Sequence, residues 1–175
     1  MTGLRIGICG GGVGGLAAAI AMDGLEHEPV VFEQAPRFTR IGADVNLTPN
    51  AVHAIDRLGI GDVLRETAAR PTYRISRTWD SGEETSRLPL SSAAEEKYGA
   101  PQLTIHRADL LQALEERVPS DRLHFGRKVG GIVNEEGNIS IAFEDGTEED
   151  VDVIVGADGI HSVVRNALFG CGDPR

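Results

Sequence analysis

The run IGICGGGVGGLAAAI, residues 6–20, constrains this chain more than any other stretch. Five glycines fall within the six residues 10–15, directly after one apolar segment and directly before another. Residues 4–9 (LRIGIC) read as a short buried strand. Residues 14–24 read as a helix with Leu16, Ala17, Ile20 and Ala21 on its apolar face, and 29–33 (PVVFE) as a second strand. Together they make a βαβ unit, which implies a parallel sheet with a right-handed crossover.

Gly10, Gly12 and Gly15 fit G-x-G-x-x-G at the mouth of that helix. The first glycine makes the tight turn, the second admits a pyrophosphate to the backbone, and the third lets helix and strand pack closely. The helix start adds free N–H groups and the positive end of its dipole, within reach of Val13 and Gly14. Glu33 ends the second strand 18 residues beyond Gly15, with Gln34 next. A carboxylate there accepts hydrogen bonds from a ribose and repels a 2′-phosphate. A Gly-rich turn that binds nothing uses the same residues, but the full strand, helix, strand and acid pattern favours a dinucleotide. The motif alone does not separate FAD from NAD.

Downstream, QAPRFTRIGADVN reads as a loop. TPNAVHAIDRLG reads as a helix, with Thr48 as cap, Pro49 in the first turn, Gly59 as stop, and a stripe of Ala51, Val52, Ile55 and Leu58. Residues 61–69 add a short helix. Tyr73, Ile75, Arg77 and Trp79 alternate with polar residues as in a strand, SGEE turns, and 85–90 returns as a hairpin partner. Tyr73 and Trp79 belong to sheet core or sheet surface. Residues 108–118 form an amphipathic helix before Pro119. Segments 122–125, 128–134, 138–144 and 147–151 read as short strands, and VDVIVGADG as an apolar strand that leads into a helix over HSVVRNALFG.

A net charge of −10 argues against a nucleic-acid surface, which needs clustered Lys and Arg. No apolar run approaches a membrane span, and the opening residues lack the pattern of a signal peptide. A reducing cytoplasm is therefore expected, with no disulfide between Cys9 and Cys171 and with Cys9 a small buried core residue. The five histidines show no paired ligand spacing, so no metal site is expected.

The stretch VIVGADGIHSVVR, residues 153–165, decides between the remaining readings. Asp158-Gly159, followed by Ser162 and Arg165, resembles the D-G motif of flavin-dependent aromatic hydroxylases. An ordinary strand-to-helix turn uses Asp and Gly too. Other stretches resemble the same family. FEQAPRFTRIGADVNLTPNAVHAIDRLGI is similar to its segment after the ribose-binding acid, and TIHRADLLQAL to its Arg-bearing helix start. The resemblance spans nearly the whole chain and is closest to hydroxylases of salicylate and hydroxynicotinate type.

That resemblance implies an α/β fold: a Rossmann-like FAD-binding domain over 1–175, with a parallel sheet and part of a small antiparallel β element around 72–104. It implies FAD as cofactor, NADH or NADPH as co-substrate, and a small phenolic or hydroxypyridine aromatic carboxylate as substrate. In the family, the reduced flavin hydroxylates the ring through a C4a-hydroperoxide. The cofactor contacts it implies are Gly10, Gly12, Val13, Gly14, Gly15, Glu33, Gln34, Arg40, Arg107, Val129 and Asp158. Arg107 has a surface role as its alternative, and Arg40 either pairs with a phosphate or is solvated. Asn46 stands where some relatives place a His or Gln near the substrate; an amide cannot act as a base near neutral pH, so the base is unassigned. Asp44 replaces a glycine common in relatives. The later G-D motif, the substrate-covering sheet and the C-terminal helix have no counterpart, so an N-terminal part with exposed apolar surface is expected, prone to self-association or a homodimer. A non-catalytic dinucleotide-binding module or an incomplete subunit is the alternative, followed by an NAD-dependent dehydrogenase. A flavin disulfide reductase lacks the necessary Cys pair.

Overall fold

The computed structural model describes residues 3–39, 42–135 and 137–170. In chain order these form β1 (Arg5–Cys9), α1 (Val13–Asp23), β2 (Glu28–Glu33), β3 (Asp44–Leu47), α2 (Pro49–Arg57), α3 (Gly61–Thr67), β4 (Tyr73–Arg77), β5 (Glu84–Pro89), α4 (Ser91–Tyr98), β6 (Leu103–His106) and α5 (Arg107–Glu115). There follow β7 (Leu123–Phe125), β8 (Val129–Glu135), β9 (Asn138–Phe143), β10 (Glu148–Val151), β11 (Val153–Gly156) and α6 (Val163–Phe169). The chain divides into two compact units: residues up to 39 together with those from 114 onward, and residues 40–113.

The first unit is built on a parallel sheet of order β11-β1-β2-β7. The βαβ unit read from the sequence forms its centre. Val30, Val31 and Phe32 are buried in succession, as a strand covered on both faces requires. Val30, Phe32 and Cys9 pack with Ile141, Phe143 and Val151 of the antiparallel β8-β9-β10 sheet and with Val164 of α6. The rings of Phe32 and Phe143 sit 5.0 Å apart, tilted by 59°. Burying a side chain such as Phe32 contributes about 1.5–3 kcal/mol. Gly7 makes the close approach possible. A Cβ on it would stand 2.5 Å from Ile141 Cδ1 and 3.0 Å from Val151 Cγ1, so a larger residue would push the small sheet off β1.

The buried face of α1 differs from the expected one. Leu16 and Ala19 are buried and Ala17 and Ile20 half-buried, while Ala21 is exposed. A helix of almost uniformly small apolar residues gives little periodic contrast from which to read its inner face.

The second unit pairs β3 with β6 antiparallel, Val45 opposite Ile105 and Asn46 opposite Thr104. Its core holds Val52, Ile55, Ile60, Leu64, Leu103 and Ile105. Both strands are corrections, since residues 44–46 read as loop and TIHRADLLQAL, from Thr104, as a helix start. Helix α4 was not expected either. Thr48 does precede α2, but its hydroxyl donates to Asn50 Oδ1 at 2.6 Å and caps no backbone amide. Between α2 and α3, Asp56 accepts from both Arg65 nitrogens at 2.6 and 2.9 Å. Gly61 leaves room for that pair, because a Cβ there would overlap the Asp56 carboxylate. The β4–β5 hairpin forms, with Tyr73 beneath the Arg87 guanidinium, but β4 ends at Arg77, so Trp79 lies 97% exposed in the turn and not in the sheet as expected.

Candidate functional site

Strand β1 delivers the chain to Gly10, whose φ of +105° favours glycine. A Cβ on Gly10 would overlap the Ala157 carbonyl, and one on Gly15 would overlap the Gly10 carbonyl. These two glycines are dictated by packing: they let α1, β1 and the turn after β11 meet. The Ala157 amide donates to the Cys9 carbonyl at 2.8 Å and completes the junction.

Gly12 and Gly14 are different. A Cβ on either would have nothing within 4 Å. Gly12 is the N-cap of α1 in extended conformation, φ −70° and ψ −178°, which any residue adopts. Neither backbone strain nor internal packing accounts for glycine there. The N-cap has no side chain to bond the first-turn amides, and no acidic residue lies in that turn. An uncapped helix start with an open rim fits an anion held by backbone N–H groups.

Glu33 stands at the end of β2. Its Oε2 accepts from the Gly11 amide at 2.7 Å and its Oε1 from the Ala35 amide at 2.8 Å. The carboxylate is thereby fixed against the glycine loop with lone pairs to spare. A cavity of about 390 Å³ opens here, lined by Gly10, Glu33, Gln34, Lys128, Val129, Ala157, Asp158, Gly159, Ile160, His161 and Val163. Five of the expected contacts, Gly10, Glu33, Gln34, Val129 and Asp158, thus share one cavity. Lys128, Ile160 and His161 join them without having been expected. Lys128 pairs with Glu144 at 2.8 Å.

Asp158 borders the cavity, but its carboxylate is committed to α6. Oδ1 accepts from the Ser162 hydroxyl, and Oδ2 accepts from the Val163 and Val164 amides at 2.7 and 3.2 Å. Ser162 Oγ in turn accepts from the Arg165 amide at 3.0 Å. The pair therefore caps the helix, the turn chemistry that Asp and Ser before a helix announce. Burial and the nearby Asp158 charge push the Cys9 thiol up to about 12.

Arg107 and Asn46 belong to the second unit. The Arg107 amide donates to the Ala43 carbonyl at 3.0 Å, and its side-chain carbons lie close to Gly42. Asn46 Oδ1 accepts from the Thr104 hydroxyl at 2.7 Å. Arg40 lies outside the described residues. Among the described residues, no group of three His, Cys, Asp or Glu is placed to hold a metal, and no helix is long and apolar enough to cross a membrane.

An uncapped helix start, a nearby cavity and an acid at the end of the second parallel strand are the parts of a dinucleotide-binding module. The chain belongs to the FAD binding domain family, whose sequence model matches residues 4–169. It is 36% identical over 171 residues to 6-hydroxynicotinate 3-monooxygenase of Bordetella bronchiseptica, covering 98% of this chain and 45% of that protein. It is 38% identical over 171 residues to salicylate hydroxylase of Pseudomonas putida, covering 95% and 38%. Klebsiella pneumoniae HpxO, solved with FAD and uric acid, superposes with a TM-score of 0.88 at 28% identity, covering 100% of this chain and 44% of that one. The chain spans less than half the length of these relatives.

Proposed function

We propose that this chain serves as the FAD-binding domain of a monooxygenase that hydroxylates a phenolic or hydroxypyridine aromatic carboxylate with NADH or NADPH as reductant. The observation that carries the reading is the open rim at Gly12 and Gly14, glycines that nothing inside the fold requires, beside a cavity ending at Glu33. The family match supplies FAD. The hydroxylated aromatic carboxylates named for similar enzymes supply the substrate class. When bound, FAD supplies redox and oxygen-activating chemistry that no side chain here possesses.

The chain's own part is binding and orientation. The backbone at Gly10, Gly12, Val13, Gly14 and Gly15 would hold the pyrophosphate, with the dipole of α1 behind it. Glu33 would accept hydrogen bonds from the adenosine ribose, with Gln34 and Val129 beside it. Arg107 and Arg40 are assigned to the cofactor as cations suited to its phosphates and flavin ring. Asp158 would act by holding the turn against which Gly10 packs. Asn46 is a hydrogen-bonding neighbour of the substrate, and no residue is assigned as base.

Glu33→Ala and Arg107→Ala should each weaken FAD binding in a fluorescence titration; unchanged affinity in both would remove the site assignment. The alternative reading is a non-catalytic FAD-binding module. NADH consumption dependent on an added aromatic carboxylate would exclude that reading.

A further inference from the structure

The cavity at Glu33 is acidic for a site assigned to an anion. Two carboxylates, Glu33 and Asp158, line it, and the chain carries a net charge of −10. The pyrophosphate of FAD is a dianion, so charges of its own sign oppose its approach. Lys128 is, among the described residues, the only lysine or arginine lining the cavity.

The backbone holds Lys128 beside the end of β2. The Gly126 amide donates to the Ala35 carbonyl at 3.0 Å, and the Arg127 amide to the Glu33 carbonyl at 2.9 Å. Lys128 follows directly, ahead of β8. In that strand Val129 pairs with Phe143 and Gly131 with Ala142, so Gly130 is an extra residue and β8 bulges where it borders the cavity. Bulges bend a strand and re-aim the side chains around them. The Lys128 ammonium stands 2.8 Å from Glu144 Oε1, and the Glu144 amide donates to the Lys128 carbonyl at 2.9 Å. The backbone bond keeps the two residues neighbours whatever their side chains do. Those side chains are 57% and 56% exposed, so their ion pair is weak and open to exchange.

We infer that Lys128 is a further cofactor-binding residue, whose ammonium leaves Glu144 for an acceptor on the adenosine half of FAD, with Glu144 as its internal competitor. The inference rests on the FAD reading of the cavity. With the pyrophosphate at the Gly12 and Gly14 rim and the ribose at Glu33, the part of the cavity at Gln34, Lys128 and Val129 falls to the adenosine. Adenine offers ring nitrogens as acceptors, and an ammonium carries three donors and no acceptor. Its charge also offsets the two carboxylates that the cofactor must pass.

ADP is the probe that tests this, because it carries the adenosine and the pyrophosphate without the flavin. Calorimetric titration with ADP and fluorescence titration with FAD should show Lys128→Gln binding both about three- to tenfold more weakly, with Lys128→Glu weaker still. Glu144→Gln should bind both about two- to threefold more tightly, because the competitor for Lys128 is gone. Melting temperatures without ligand should stay near wild type, since both side chains are exposed. Should Lys128→Gln melt low, Glu144→Gln removes the same ion pair and keeps the test decisive: a merely structural pair weakens binding in both variants, whereas competition moves them in opposite directions. Lys128→Gln with wild-type affinity for ADP and FAD, or Glu144→Gln that does not bind more tightly, overturns the inference and leaves the cavity assigned to FAD. A folded wild type that binds neither ligand overturns the FAD reading and this inference with it.

Discussion

Replacing Gly12 by alanine separates binding from folding at a single atom. The new Cβ has nothing within 4 Å, so it meets no steric penalty inside the chain. The backbone there is extended, at φ −70° and ψ −178°, and accepts alanine without strain. Alanine is a poorer N-cap than glycine by roughly 1 kcal/mol, while the stiffer unfolded chain returns about 0.4–1 kcal/mol. The net change should stay within about 0.5 kcal/mol, a melting shift of about 2 °C or less for a chain of this size. Binding should respond far more strongly. In the proposed cradle the methyl group would occupy the space through which a pyrophosphate would reach the first amides of α1. Losing two charge-assisted hydrogen bonds at about 1.5–3 kcal/mol each costs about 3–6 kcal/mol. That corresponds to a loss of roughly 10²- to 10⁴-fold in FAD affinity. Quenching of flavin fluorescence gives the affinity, and a thermal melt without FAD gives the stability. Wild-type affinity in Gly12→Ala would refute the cradle assignment. A large drop in melting temperature would refute the claim that the fold itself does not need this glycine. Gly15→Ala is the contrasting control, because its Cβ would overlap the Gly10 carbonyl and should lower both quantities together.

Asp158→Ala should remove the bonds to Ser162, Val163 and Val164 and lower stability by about 1–2 kcal/mol, seen as a melt lowered by about 2–8 °C, with Asp158→Asn intermediate. Cys9 should resist alkylation at pH 8 in the folded chain and react once denatured, because its thiol is pushed up to about 12; peptide mass mapping of the Cys9 peptide reads this directly. The Arg65 guanidinium holds the Asp56 carboxyl below its ordinary value of 3.8. A carboxyl depressed in the folded state adds stability above its unfolded value and loses it as pH falls through the lower folded value. Asp56→Asn should therefore flatten the stability curve below about pH 4, by under ~1 kcal/mol for so exposed a pair; urea midpoints measured from pH 5 down to pH 2 would show it.

The parts of this fold that the sequence announces are those where backbone demands and periodicity coincide. The β1-α1-β2 unit carries apolar strands, a glycine turn and a terminal acid. The β8, β9 and β10 strands are separated by Gly-bearing turns. Gly10 and Gly15 stand where packing leaves no room for a side chain, so the motif and its reason agree. Strands β3 and β6 escaped because each has four residues and is specified by its partner about 60 positions away. Helix α4, SSAAEEKY, lacks an apolar stripe and is set by its surroundings. At the site, Glu33 was legible from its place at a strand end; Lys128 and His161 line the cavity beside Val129 and Asp158, next to residues that were singled out, but neither was singled out itself. Asp158 was legible as a turn residue ahead of a helix, and its capping bonds follow that reading; the D-G pair by itself did not separate this use from a cofactor contact. Gly7 had no signal beyond being a glycine inside a strand, and its cause, Ile141, lies in another sheet.

The central claim is that the glycine loop and the cavity at Glu33 hold FAD. The direct test is to titrate the purified chain with FAD, pass it over a gel-filtration column and read absorbance at the flavin band. Flavin that elutes with the protein, and separates from it in Gly12→Ala, is the predicted result. A folded wild-type chain that elutes free of flavin would contradict the account.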